Sequence, residues 1–171
     1  MRRRWLMALV SVGVVAGVLA PGGSAAAAGD PVVWTGDGAV RGQVAGNTRV
    51  FQGVPYAAAP VGELRWREPR PPARWSGVRD ATRPGPACAQ LPGELPEGST
   101  SEDCLYLNVT APAGAERRPV VVWVHGGGFF MGAGANYDAR RLVGRGDVVV
   151  VSINYRLGVF GFFGMPGLEG S

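Results

Sequence analysis

Lysine is absent: all 17 basic residues are arginine. Histidine occurs once, at His125, and cysteine twice, at Cys88 and Cys104. Each scarcity excludes something. One imidazole and two thiols do not make a zinc-type ligand set, and neither their spacing nor their neighbours point to a metal; no organic cofactor is implied either. Arginine as the only basic residue, beside 28 glycines and 14 prolines, fits a GC-rich bacterial coding sequence better than a selected chemistry. Net charge is also scarce. The formal +4 includes Arg2, Arg3 and Arg4, and without the first 28 residues, which hold no acidic residue, 14 arginines face 13 acidic residues. No basic patch is left to recognise nucleic acid.

The tri-arginine has another use. It precedes an apolar run from Trp5 to Ala20, which ends at Pro21-Gly22-Gly23 and is followed by small residues from Ser24 to Ala28. That order of charge, apolar stretch and small-residue cleavage site is a secretory signal peptide, residues 1–28, with cleavage placed between Ala26 and Gly29. The run is shorter than the roughly 20 residues a membrane span needs, so no stable span is expected after cleavage. The mature part, residues 29–171, is then expected outside the cytoplasm. There an even number of cysteines favours a disulfide over two free buried thiols.

Along the mature chain, VVWT and GAVRGQV flank Gly36-Asp37-Gly38 and predict a hairpin, and Thr48 to Tyr56 predicts a strand. Residues 53–103 carry nine of the 14 prolines and isolated Trp66 and Trp75, which predicts an ordered but irregular loop region. Leu105 to Ala111 alternates between two faces as a strand does. Val120 to Val124 and Asp147 to Asn154 are continuously apolar, the pattern of strands buried on both faces. Between them Asp138 reads as an N-cap and Ala139 to Val143 as a short helix ending at Gly144. The β–α–β order predicts that the two strands pair in parallel.

The chain is organised around the segment directly after the first of these strands: His125-Gly126-Gly127-Gly128, with Phe129-Phe130 behind. Three glycines leave backbone N–H groups uncovered and free to adopt positive φ. Two such donors aimed at one point can stabilise a developing oxyanion, as in the glycine loops of lipases and esterases.

Four stretches, in order, carry a family resemblance. They are FQGVPYA through PVGELRW (residues 51–66), SEDCLYLNV (101–109), VHGGGF (124–129) and NYRLGVFGF (154–162). The mature chain resembles the N-terminal part of the type-B carboxylesterase/lipase family, the cholinesterase-like branch of the α/β hydrolases. The resemblance implies an α/β fold: an N-terminal hairpin and the first strands of a central, mostly parallel sheet, incomplete. It implies that Gly127 and Gly128 are the loop donors of an oxyanion hole and that Gly126 supplies the turn. Cys88 and Cys104 resemble the family's first disulfide, and Arg65 and Glu102 a structural ion pair. Arg156 would pair with an acidic residue from later sequence. A small carboxylic ester is the implied substrate of the complete protein.

The chain departs from the family's pattern in its catalytic groups. The chemistry needs a serine on a G-x-S-x-G elbow, an acid and a histidine base. None of Ser76, Ser99, Ser101, Ser152 or Ser171 lies in such an elbow, and His125 belongs to the glycine loop. The expectation is an N-terminal fragment of a secreted serine esterase, inactive alone. The alternatives are a non-catalytic binding protein on the same fold, which the intact glycine triplet argues against, and an inactive truncated remnant.

Overall fold

The computed structural model describes residues 31–93, 95, 98–114 and 116–164. The leader at residues 1–28 lies outside the described residues. The predicted hairpin consists of β1 (Val32–Trp34) and β2 (Ala39–Arg41), antiparallel, with Val33 opposite Val40. Thr35 closes its turn by donating its hydroxyl to the Gly38 carbonyl at 2.7 Å. GAVRGQV does not continue as one strand. It breaks at Gly42, and β3 (Gln43–Ala45) leaves for a second sheet by pairing with β4 (Thr48–Pro55).

Two predictions need correcting. The irregular region 53–103 contains a strand, β5 (Val78–Asp80), which runs parallel to β2 and completes a sheet of order β1-β2-β5. Its three residues are all exposed, so no apolar periodicity marks it; backbone pairing alone forms it. The helix is α1 (Arg140–Gly146), starting and ending later than its capping signals imply. It runs through Gly144, since an interior glycine costs only about 1 kcal/mol. It stops where Asp147 turns left-handed, at φ 49°, and returns its N–H to the Val143 carbonyl. Asp138 binds the Arg140 amide and guanidinium from outside the helix, and this holds its carboxyl down at about 2.

The larger sheet has the order β3-β4-β6-β8-β7, adding β6 (Tyr106–Pro112), β7 (Val120–Val124) and β8 (Val149–Ile153). The β3/β4, β4/β6 and β6/β8 pairs are antiparallel, and β7/β8 is parallel with Val124 opposite Ile153. That register brings the C-terminal ends of β7 and β8 level. The loops after both strands therefore emerge side by side, at the edge where parallel sheets of this kind place their sites.

Two apolar clusters hold this frame. Val40, Phe51 and Ala81 join the small sheet to β4, and Ala57, Cys88, Cys104, Leu105 and Leu157 lie under the loops. Leu157 is 1% exposed, which is worth about 1.5–3 kcal/mol of burial.

The valines of β7 differ from expectation. All five of its residues are exposed, Val120 and Val122 by 60% and 59%. Among the described residues β7 has a neighbour on one side only. A strand composed for burial on both faces, with a free edge, templates pairing with other chains. Residues 29–171 in isolation are expected to self-associate, sedimenting as oligomers or larger particles. A monodisperse, cooperatively melting monomer would contradict that.

Candidate functional site

Val124 ends β7, and His125 turns the chain inward. The imidazole is 3% exposed and stacks on Tyr155, with ring centroids 4.4 Å apart. Its Nδ1 lies 2.7 Å from the Gly126 carbonyl, and the Tyr155 hydroxyl donates to the His125 carbonyl at 2.7 Å. Burial first, and Tyr137 second, push the Tyr155 hydroxyl above its ordinary value, so it stays protonated and donating at neutral pH. Committed in this way, the ring is a wedge under the loop. It does not have the exposure a general base needs to reach a substrate.

The loop itself is a tight turn. The Gly127 carbonyl accepts from the N–H groups of Phe130 and Met131, each at 3.1 Å. Gly127 has φ +122°, and a Cβ there would collide with the Met131 carbonyl. Only glycine fits the position. Phe129 is non-glycine at φ 67°, a conformation costing on the order of 1–3 kcal/mol and characteristic of functional loops. It is held from outside: the Gly158 amide donates to its carbonyl at 2.8 Å, and its ring lies 4.6 Å from that of Phe162.

The Gly126, Gly127 and Phe129 carbonyls are engaged, and the amides of Phe130, Met131 and Gly132 are spent on the turn and on Gln90. Among the described residues, no hydrogen bond is donated by the N–H of Gly127 or of Gly128. Gly128 is exposed and Gly127 half-buried, so both remain accessible. Two adjacent uncommitted donors on a rigidly tied loop can bind a single anionic oxygen.

The other residues singled out from sequence form the support beside it. Cys88 and Cys104 are bridged, both nearly fully buried. Arg65 and Glu102 form a bidentate pair through Nε and Nη2 to the two carboxylate oxygens, and the Glu102 hydrogen bonds and charge raise the Arg65 guanidinium further. The pair ties the proline-rich segment to the bridge. Arg156, expected to find an acidic partner in later sequence, here donates to the Arg67 carbonyl at 2.9 Å.

Two further residues have supporting roles that the sequence reading did not assign. Asn154, 5% exposed, accepts from the Gly134 amide and donates to the carbonyls of Pro86 and Cys104, joining the end of β8 to the loop and to the bridge. Gln90, two residues past Cys88, reaches Gly132 at the far end of the glycine loop.

A cleft of about 800 Å³, lined among others by Leu91, Pro92, Phe130, Met131 and Val159, opens between the bridged loop and the residues after the glycine triplet. Among the described residues there is no cluster of metal-ligating side chains and no helix long and apolar enough to cross a membrane.

Comparison with known proteins bears on the family and the fold. Residues 29–169 match the carboxylesterase family. The chain is similar to the fumonisin B1 esterase of Sphingopyxis macrogoltabida, 50% identical over 143 residues that cover 79% of this chain and 26% of the relative. It is similar to the para-nitrobenzyl esterase of Bacillus subtilis (strain 168), 45% identical over 139 residues, 77% of this chain and 28% of the relative. Among solved structures, a PNB esterase superposes with a TM-score of 0.75 at 43% identity, over 81% of this chain and 30% of that one. The chain thus spans between a quarter and a third of the length of these relatives.

Proposed function

The chain belongs to the carboxylesterase family, and from that premise we propose that it supplies the oxyanion-stabilising part of a serine hydrolase acting on carboxylic esters. The observation that carries the reading is the glycine turn after β7: among the described residues the Gly127 and Gly128 amides donate no hydrogen bond, while the Gly126, Gly127 and Phe129 carbonyls are held.

In the complete protein a serine hydroxyl attacks the ester carbonyl carbon, passing its proton to a histidine base. The carbonyl oxygen becomes an oxyanion and moves toward the two N–H donors, which stabilise it more than the ground-state carbonyl. Collapse expels the alcohol, which takes the proton back from the histidine, and water then releases the acid by the same steps. The serine, acid and base come from sequence outside these residues, because none of the five mature serines is on an elbow and His125 is buried against Tyr155. Residues 1–28 act as an export signal, residues 29–171 form part of the hydrolase domain, and the mature bacterial protein works outside the cytoplasm, a setting that suits the Cys88–Cys104 bridge. The apolar cleft beside the loop favours esters with an apolar acyl or alkoxy group. Nucleic acid has no place in this scheme.

The test is to express the whole reading frame that contains these residues and assay hydrolysis of p-nitrophenyl butyrate. Ester hydrolysis, lost when the serine of a G-x-S-x-G elbow is replaced, supports the proposal. A frame product with neither elbow nor hydrolysis overturns it. Residues 29–171 alone are expected to show no hydrolysis above buffer.

A further inference from the structure

The glycine loop must be stiff for its amides to act, yet its own turn fixes only one end. The Gly127 carbonyl closes the turn onto Phe130 and Met131. The other end, Gly132, is fixed by a side chain from elsewhere in the chain. The Gln90 side-chain amide pairs with both backbone groups of Gly132: its Oε1 accepts from the Gly132 N–H at 2.8 Å, and its Nε2 donates to the Gly132 carbonyl at 3.0 Å. The second Nε2 hydrogen reaches the Cys88 carbonyl at 2.9 Å. The side chain thereby does for Gly132 what a neighbouring strand would.

Gln90 is itself immobilised. Its backbone N–H and carbonyl pair with Ser99 at 2.8 and 2.9 Å, and the Ser99 hydroxyl donates to the Ala87 carbonyl at 2.7 Å. This cross-link spans the loop that the Cys88–Cys104 bridge closes. Gly132 in turn admits no side chain, because a Cβ there would meet the His125 Nδ1 at 2.5 Å and the Gly126 carbonyl at 2.8 Å. Gly132 thus lies against both the buried imidazole and the first glycine of the triplet. A shift of Gly132 moves the residues that aim the Gly127 and Gly128 amides.

We propose that Gln90 is a positioning residue for the oxyanion loop, transmitting the rigidity of the disulfide-closed loop to the glycine turn through its paired hydrogen bonds to Gly132. The role rests on the ester-hydrolase reading above, but the clamp itself does not. Gln90 touches no reacting atom. Its loss changes how well the donors meet the transition-state oxygen and leaves ground-state binding nearly unchanged.

The test compares wild type, Gln90→Ala and Gln90→Glu in the complete protein by two readouts. The first is amide hydrogen exchange at residues 125–133. The second is the split between kcat and KM for p-nitrophenyl butyrate. Exchange at Gly132 is expected to accelerate at least about tenfold in Gln90→Ala, with kcat down about tenfold and KM within about twofold, since the misaimed donors bind the oxygen mainly in the transition state. Gln90→Glu keeps an acceptor for the Gly132 N–H and, once protonated, regains a donor for its carbonyl. Its exchange excess over wild type should therefore shrink as the pH falls through the ordinary carboxyl range near about 4.3. It also serves as the folded comparison should Gln90→Ala not fold. Unchanged exchange at Gly132 overturns the proposal whatever the kinetics show. So does faster exchange with kcat intact, or a loss that falls on KM. If the wild-type protein hydrolyses no ester, the hydrolase reading fails on its own, and exchange still decides whether Gln90 holds the loop.

Discussion

Replacing Gly127 with alanine in the complete protein is expected to lower kcat by about 10²–10³, equivalent to about 3–4 kcal/mol of transition-state stabilisation, with KM little changed. The cause is steric first. Gly127 has φ +122°, and an added Cβ would overlap the Met131 carbonyl, which lies within the same tight turn. The backbone must rotate, and the two amides turn with it. Donor geometry matters because hydrogen bonds weaken steeply as their angle closes. Gly126, to which the family resemblance gave the turn, is the contrasting position, because the turn is closed at Gly127: a Cβ on Gly126 meets nothing within 4 Å, and its φ is not in the left-handed region. Gly126→Ala should therefore retain far more activity than Gly127→Ala. Steady-state kinetics on a p-nitrophenyl ester decide it. Equal activity for the two variants would mean that the turn at Gly127 does not aim the donors.

Removing the disulfide is the second large effect. With Cys88 and Cys104 both replaced by alanine, unfolding free energy should fall by about 3 kcal/mol, the chain-entropy value for a closed loop of about 15 residues. The bridge is buried with Ala57, Leu105 and Leu157, so loss of packing adds to the loss of constraint. Reduction of the wild-type protein should give a shift of the same sign without the cavity. In denaturant titrations the midpoint should drop and the slope should rise, because the unfolded chain without its cross-link exposes more surface. A change under about 1 kcal/mol would contradict the chain-entropy account and show that the unfolded chain keeps this segment compact without the bridge.

How much is legible in the chain depends on whether a residue's role repeats in a pattern. Strands β7 and β8 announce themselves by continuous valine, and their parallel pairing follows from the helix between them. The glycine triplet is legible because it abuts a strand. Strand β5 is silent, since Val78-Arg79-Asp80 is exposed and forms through backbone pairing to β2. The end of α1 is misread from sequence because Gly144 reads as a stop, whereas the left-handed turn that ends the helix is at Asp147, an acceptable but less marked residue for that role. Gln90 and Asn154 are single amides whose partners lie 42 residues away at Gly132 and 50 residues away at Cys104, and no local spacing encodes such ties. The exposure of β7 is invisible for a different reason: its composition states what it should be packed against, and burial depends on whether that neighbour is present.

Gly127 and Gly128 are tested most directly by a crystal structure of the complete protein after reaction with a fluorophosphonate ester, whose serine adduct mimics the tetrahedral intermediate. The phosphoryl oxygen is predicted within about 2.7–3.1 Å of both amide nitrogens, with the Gly127 turn and the Gln90–Gly132 clamp as described. An adduct whose oxygen lies out of reach of both amides, or a protein with no serine that reacts, would contradict the assignment of this loop as the oxyanion site.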